Sequence, residues 1–164
     1  MNETQIYEQT LSNNYCDDYF INKTYSGTIE SSILHLIADM FSDDTLQING
    51  TQIICEDERK ERVIQARAMF FWYLNKSLGY SIYAISIKYG FHSNNVGKII
   101  KKHTVNIENE PFIFFIHKKI FEIGEIWKSY GVLSEKNIVI EVKSKHEKTI
   151  SKLEKKHKNY DTKI

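Results

Sequence analysis

Apolar residues recur every three to four positions along most of this chain, and the breaks in that period divide it into segments. Ile29, Ile33, Leu36, Ile37, Met40 and Phe41 share one helical face, with Thr28 placed to cap it and Ser42-Asp43-Asp44 to stop it. In the stretch 46–54, Asn49-Gly50 separates two short β-prone runs. That dipeptide is a strong short-range hairpin signal, so a small β-hairpin is expected there. A long helix opens near Asp57: Val63, Ala66, Arg67, Phe70, Leu74 and Leu78 keep one phase, while Phe71 and Tyr73 widen it. Gly79 ends it, at the position where left-handed backbone suits glycine.

Ser81 can cap a short helix running to Tyr89, and Gly90 turns the chain. His92-Ser93 opens a third helix, through Val96, Ile99 and Ile100 to about His103. Beyond Pro111, residues Phe112, Phe115, Ile116, Ile120, Ile123 and Trp127 mark another amphipathic helix that ends near Gly131. From Ser134 the chain is charged, with Ile138, Val142, Ile150 and Leu153 as one narrow apolar stripe. That pattern predicts a solvated helix, and more weakly a coiled coil. Residues 1–27 are acidic, polar and aperiodic, as in a partly ordered arm. The expected fold class is therefore all-α: a helical bundle with a helix-turn-helix, a small β-hairpin near 46–54 and a charged C-terminal helix. The expected organisation is an acidic N-terminal arm (1–27), a helix-turn-helix domain (28–131) and a charged tail or helix (132–164).

Composition adds bounds. A single proline and seven glycines in 164 residues favour helices over a loop-rich sandwich. No apolar run approaches the roughly 20 residues of a membrane helix, and the polar, acidic start shows no signal peptide. Cys16 and Cys55 lack CxxC or Cys/His spacing and read as two reduced thiols. The expectation is a cytoplasmic protein with no membrane partner.

Charge changes the picture most. Residues 62–107 carry seven basic side chains (Arg62, Arg67, Lys76, Lys88, Lys98, Lys101 and Lys102) and no acidic one. Residues 1–61 carry three Lys/Arg against twelve Asp/Glu, a net of −9. A purely basic, aromatic-rich block is the electrostatic footprint expected of a surface that meets phosphate. The same block fits the twenty-residue helix-turn-helix, which needs five apolar corner positions, one small residue and a turn glycine. With Gly90 at the turn, Ile85, Tyr89, Phe91, Val96 and Ile99 fill the apolar positions and Ser86 the small one. In this register the second helix presents His92, Ser93, Asn94, Gly97, Lys98 and Lys101, and its first turn would enter the major groove. Asn can pair bidentately with adenine, Lys can donate to guanine or phosphate, and Gly97 would allow close approach to the duplex. The plainer alternative is that Asn94 and Asn95 cap a helix and the lysines solvate it.

The block also resembles the C-terminal DNA-binding domain (domain IV) of the bacterial replication initiator DnaA, a helix-turn-helix of the Trp-repressor-like superfamily. The resemblance is carried by Ala66-Arg67-Ala68-Met69 with Leu74, by the run Ser81-Ile82-Tyr83-Ala84-Ile85-Ser86-Ile87-Lys88-Tyr89-Gly90, and by Phe91-His92-Ser93-Asn94-Asn95-Val96. It spans about residues 28–103. It implies that Arg67 reaches the minor groove, that Asn94 and Asn95 stand for the family's two threonines and Ser93 for its histidine, and that Lys88 lies near phosphate-contacting groups. The family's Asp-His pair is replaced by His92-Ser93 and the turn is one residue shorter, so its target sequence does not carry over. The chain has no GxxxxGK[ST] motif, so the ATPase of an initiator is not implied. For Arg67 the plain alternative is a stem covering the core with its head in water.

No catalytic constellation is visible: the six histidines form no HExxH or Cys/His pairing, and the acidic clusters around Asp43-Asp44 and Glu56-Asp57-Glu58 lack EF-hand spacing. No enzyme activity, cofactor or metal is expected. The expected function is double-stranded DNA binding in control of replication initiation or transcription. The expected DNA-binding residues are Arg62, Arg67, Lys88, His92, Ser93, Asn94, Asn95, Lys98, Lys101 and Lys102. Two rivals remain: a protein-interaction module, with a partner or homodimer surface on 112–130 or the C-terminal helix, and an RNA or single-strand binder stacking bases on Tyr73, Tyr80 and Tyr83.

Overall fold

A computed structural model describes residues 28–130 and 146–158, and every regular element among them is a helix: α1 (Ile29–Phe41), α2 (Gly50–Ile53), α3 (Glu61–Lys76), α4 (Ile82–Tyr89), α5 (Ser93–Asn109), α6 (Pro111–Tyr130) and α7 (146–158). The all-α class is as the periodicity predicts. The acidic arm and the stretch bearing Ile138 and Val142 lie outside the described residues.

Local chemistry sets most of the boundaries. The Thr28 hydroxyl accepts from the Ser31 N–H at 3.2 Å and caps α1. At its other end the Ser42 hydroxyl donates to the Ala38 carbonyl and accepts from the Ile48 N–H, both at 2.8 Å. The Asp43 carboxylate then accepts from the Thr45 hydroxyl and from the Thr45 and Leu46 N–H groups, closing the connection.

The expected β-hairpin at 46–54 does not form. Asn49 instead caps α2: its side chain accepts from the Gln52 N–H while the Gln52 side chain accepts from the Asn49 N–H, each at 2.9 Å. Asn-x-x-Gln is a reciprocal capping box, and here it overrides the Asn-Gly turn signal. A Cβ on Gly50 would stand 3.1 Å from Leu34, so glycine also lets α2 lie close on α1.

The chain forms two compact units, Tyr25–Val105 and a second that takes in the described residues from Asn106 onward. The boundary falls inside the single 28–131 domain suggested by the sequence. In the first unit α3 is the central helix, packed against α1, α2 and α4. It starts four residues later than Asp57, and its side chains from Ala66 to Leu74 are all buried, as a helix enclosed on every side requires. Gly79 (φ 79°) and Gly90 (φ 75°) both take the left-handed backbone that their turns need.

In the second unit Pro111 occupies the first turn of α6, where a missing N–H is harmless. The Ile150–Leu153 stripe of α7 is buried. His146 and His157 fix its two ends: His146 Nε2 lies 2.6 Å from His117 Nε2 on α6, and His157 Nε2 lies 2.8 Å from the Ile107 carbonyl. Between them Lys118 pairs with Glu154 at 2.6 Å.

Candidate nucleic-acid interface

The helix-turn-helix is built on α4, Gly90 and α5. The Ser81 hydroxyl caps α4, accepting from the Ala84 N–H at 3.0 Å. The Gly90 and Phe91 N–H groups both return to the Ser86 carbonyl, at 2.9 and 3.1 Å. His92 starts α5: its carbonyl accepts from the Val96 N–H at 3.0 Å and its Nδ1 from the Asn94 N–H at 3.3 Å. Ile85, Phe91 and Val96 are buried, Tyr89 and Ile99 half-buried, and the small position Ser86 is buried. Aromatic rings hold this corner to α3: Phe71 meets Phe91 edge-on at 5.1 Å, and Phe70 meets Tyr89 at 5.6 Å.

A second tie joins the corner to α1. Glu30 is buried, and its carboxylate accepts from Lys88 Nζ at 2.6 Å, from the Tyr80 hydroxyl at 3.0 Å and from the Tyr89 hydroxyl. Burial alone would raise the Glu30 carboxyl, but the donors from Lys88, Tyr89 and Tyr80 outweigh it and hold it below its ordinary value. The Tyr89 hydroxyl is pushed upward, first by burial and then by its bond to Glu30. This cluster is not legible in the sequence pattern. The one signal is an acid at position 30, one turn before Ile33 on the packed side of its helix.

The ten expected site residues separate into groups. His92, Asn94, Asn95, Lys98, Lys101 and Lys102 are all exposed on α5 or its cap. Val96, Ile100, His103 and Ile107 on the opposite side are buried. Ser93 is half-buried, and its hydroxyl donates to Ser86 Oγ at 3.4 Å, inside the corner. Gly97 is also half-buried. A Cβ there would lie 3.8 Å from Ile82 Cδ1, an ordinary contact, so its bare backbone faces α4 in part. The Lys88 ammonium is drawn to Glu30, which raises its pKa above the ordinary lysine value. Arg62 is half-buried and close enough to Asp43 for its charge to help hold that carboxyl down, after the bonds from Thr45 and Leu46.

Arg67 does not fit the minor-groove role that the resemblance implies. It is 4% exposed. Its Nε donates to the Ile53 carbonyl at 2.7 Å, and its Nη2 reaches the carbonyls of Cys55, Gln52 and Glu58. The guanidinium thus satisfies the bare carbonyls where α2 ends. Burial lowers its pKa, as expected for a cation removed from water. Its place on the apolar phase of α3 is the sequence signal, but its head goes to backbone rather than to solvent.

Three large apolar side chains on α4 remain in water: Ile82, Tyr83 and Ile87, the last two 69% and 66% exposed. Among the described residues no three or more His, Cys, Asp or Glu side chains gather as a metal site, and no helix is long and apolar enough to cross a membrane. No protein-family model, no curated protein and no solved structure matches this chain.

Proposed function

We propose that this protein binds double-stranded DNA through α4, Gly90 and α5, with α5 in the major groove. The observation that carries the reading is the face of α5. Asn94, Asn95, Lys98, Lys101 and Lys102 are exposed together, and no carboxylate interrupts the helix before Glu108. The three lysines supply phosphate contacts, whose counterion release makes binding fall with salt at a log–log slope of about −0.9 per contact. Asn94 and Lys98 are the side chains suited to base edges. Arg67 takes no part, because its donors are spent on backbone. The biological role that the sequence resemblance favours is control of replication initiation, with transcription as the other use of such a module.

Binding of random duplex and random single strands across a salt series tests this, with Lys98→Ala/Lys101→Ala alongside. Duplex-selective, salt-steep binding that the variant loses supports the reading. Absence of duplex binding at low salt sinks it. One observation favours a protein-interaction role instead, namely the exposed Ile82, Tyr83 and Ile87 on α4. Under that reading Tyr83→Ala/Ile87→Ala abolishes partner capture and the α5 lysines are dispensable.

A further inference from the structure

The second unit carries a basic surface that the helix-turn-helix does not use. Helix α7 holds five lysines (Lys148, Lys152, Lys155, Lys156 and Lys158) against Glu147 and Glu154. At 3.6 residues per turn, Lys148, Lys152 and Lys155 fall within an arc of about 60°, opposite the stripe of His146, Ile150, Leu153 and His157. The structure agrees with that geometry: the three lysines are exposed and the four stripe residues are buried. Both glutamates fall on one flank, where Glu154 is held by Lys118 at 2.6 Å. Among the described residues no ion pair engages Lys148, Lys152 or Lys155.

We infer that Lys148, Lys152 and Lys155 form a second phosphate-contacting surface, on the second unit, that takes the backbone of duplex DNA. This rests on the DNA-binding reading above. Three features choose the partner. The apolar side of α7 is already buried, so the helix has no face to insert into a bilayer, as a membrane-surface helix needs. Glu147, Lys148, Ser151, Lys152 and Lys155 outline only a shallow, open depression, unlike the concave pocket that encloses a small ligand. Successive lysines stand three or four residues apart, roughly 4.5–6 Å along the axis, and present a row of positive charge to a linear array of negative charge. A duplex backbone offers such an array.

The test uses the full chain and a random-sequence duplex of roughly 40 base pairs, long enough to extend past a helix-turn-helix site of about one helical turn. Binding is measured across a salt series for the wild type, for Lys148→Ala/Lys152→Ala/Lys155→Ala and for Arg59→Ala/Lys60→Ala. Alanine is the better helix former, so the triple variant keeps α7, and circular dichroism checks it. The expected result is a wild-type salt slope that the triple variant makes shallower by two to three, with sequence preference retained; each lost phosphate contact removes about 0.9. The Arg59/Lys60 variant should keep the wild-type slope. Unchanged slope in the triple variant overturns the inference while leaving the α5 reading intact. An equal loss in the Arg59/Lys60 variant reduces the effect to net charge and also overturns it. Binding of the wild type to anionic phospholipid vesicles but not to duplex overturns both readings, as does binding to neither.

Discussion

Glu30 and Lys88, 58 residues apart, meet at 2.6 Å, and the carboxylate between them and the tyrosines ties α1 to the last turn of α4. The helix-turn-helix is thus fastened on two sides, by aromatic packing on α3 and by a buried carboxylate from α1. Glu30→Ala leaves two phenols and an ammonium without their acceptor. Water can replace the carboxylate at Lys88, which is 53% exposed, but each half-buried phenol left without its acceptor costs about 1–2 kcal/mol, so a total loss of about 2–4 kcal/mol in urea denaturation is expected, with Glu30→Gln losing less. The pH dependence follows from the lowered carboxyl. The folded state holds Glu30 ionised to lower pH than the unfolded chain does. Its contribution is complete above the ordinary carboxyl range and disappears as pH falls below it. Glu30→Gln should flatten the acid limb of the stability curve.

Arg67→Met separates a structural from a DNA-binding role for the arginine. Methionine keeps much of the stem's volume and none of the donors. The carbonyls of Ile53 and Cys55 then lose their partner, for an expected loss of about 2–4 kcal/mol. Duplex affinity measured well below the melting temperature should be unchanged. A salt slope reduced by about one would return Arg67 to the phosphate-contacting set.

Gly90 tests the corner itself. With φ at 75° and open space where a Cβ would stand, Gly90→Ala meets backbone strain alone. A loss of about 1–2 kcal/mol by thermal or urea melting is expected. A neutral outcome would mean that the α4–α5 turn takes another conformation.

Asn94 tests readout rather than grip. Under the proposed function Asn94→Ala lowers discrimination at one A·T position by about 1–3 kcal/mol and leaves the salt slope in place. Equal losses on every duplex would make it a backbone contact.

The helices are legible where periodic apolar residues coincide with local caps: Thr28, Ser81, Gly79 and Gly90 act as their residue types suggest. Asn49-Gly50 misleads because one dipeptide serves both a hairpin and a capping box. Gln52, three residues on, decides between them, together with the packing of Gly50 on Leu34. The exposed face of α5 follows from its buried side, so Asn94, Lys98 and Lys101 are readable from the pattern. The destinations of Arg67 and Lys88 are not. Each depends on a partner distant in sequence, and charge alone does not distinguish a cation bound for carbonyls or a carboxylate from one left for a ligand.

The His117–His146 pair gives the second unit its own acid sensitivity. The two Nε2 atoms, 2.6 Å apart, can share one proton: one ring donates and the other accepts. Adding a proton to the acceptor ring removes that bond and places charge among buried groups, with Phe121 packed edge-on against His146 at 4.4 Å. Burial accordingly pulls the His146 imidazole down to about 4. Above the ordinary histidine value near 6.5 the ring is neutral in both folded and unfolded chains, and the shift has no effect. Between that value and about 4 only the unfolded chain takes up the proton, so stability falls as pH falls. The full loss is roughly 3 kcal/mol, reached near pH 4. Because His146 anchors one end of α7, the protection of α7 amides against hydrogen exchange, taken relative to the intrinsic rate at each pH, should fall between pH 6 and 4. His146→Phe should remove that pH dependence while keeping α7 docked. Protection in α7 that stays constant over this range would mean that α7 is held without the His117–His146 pair.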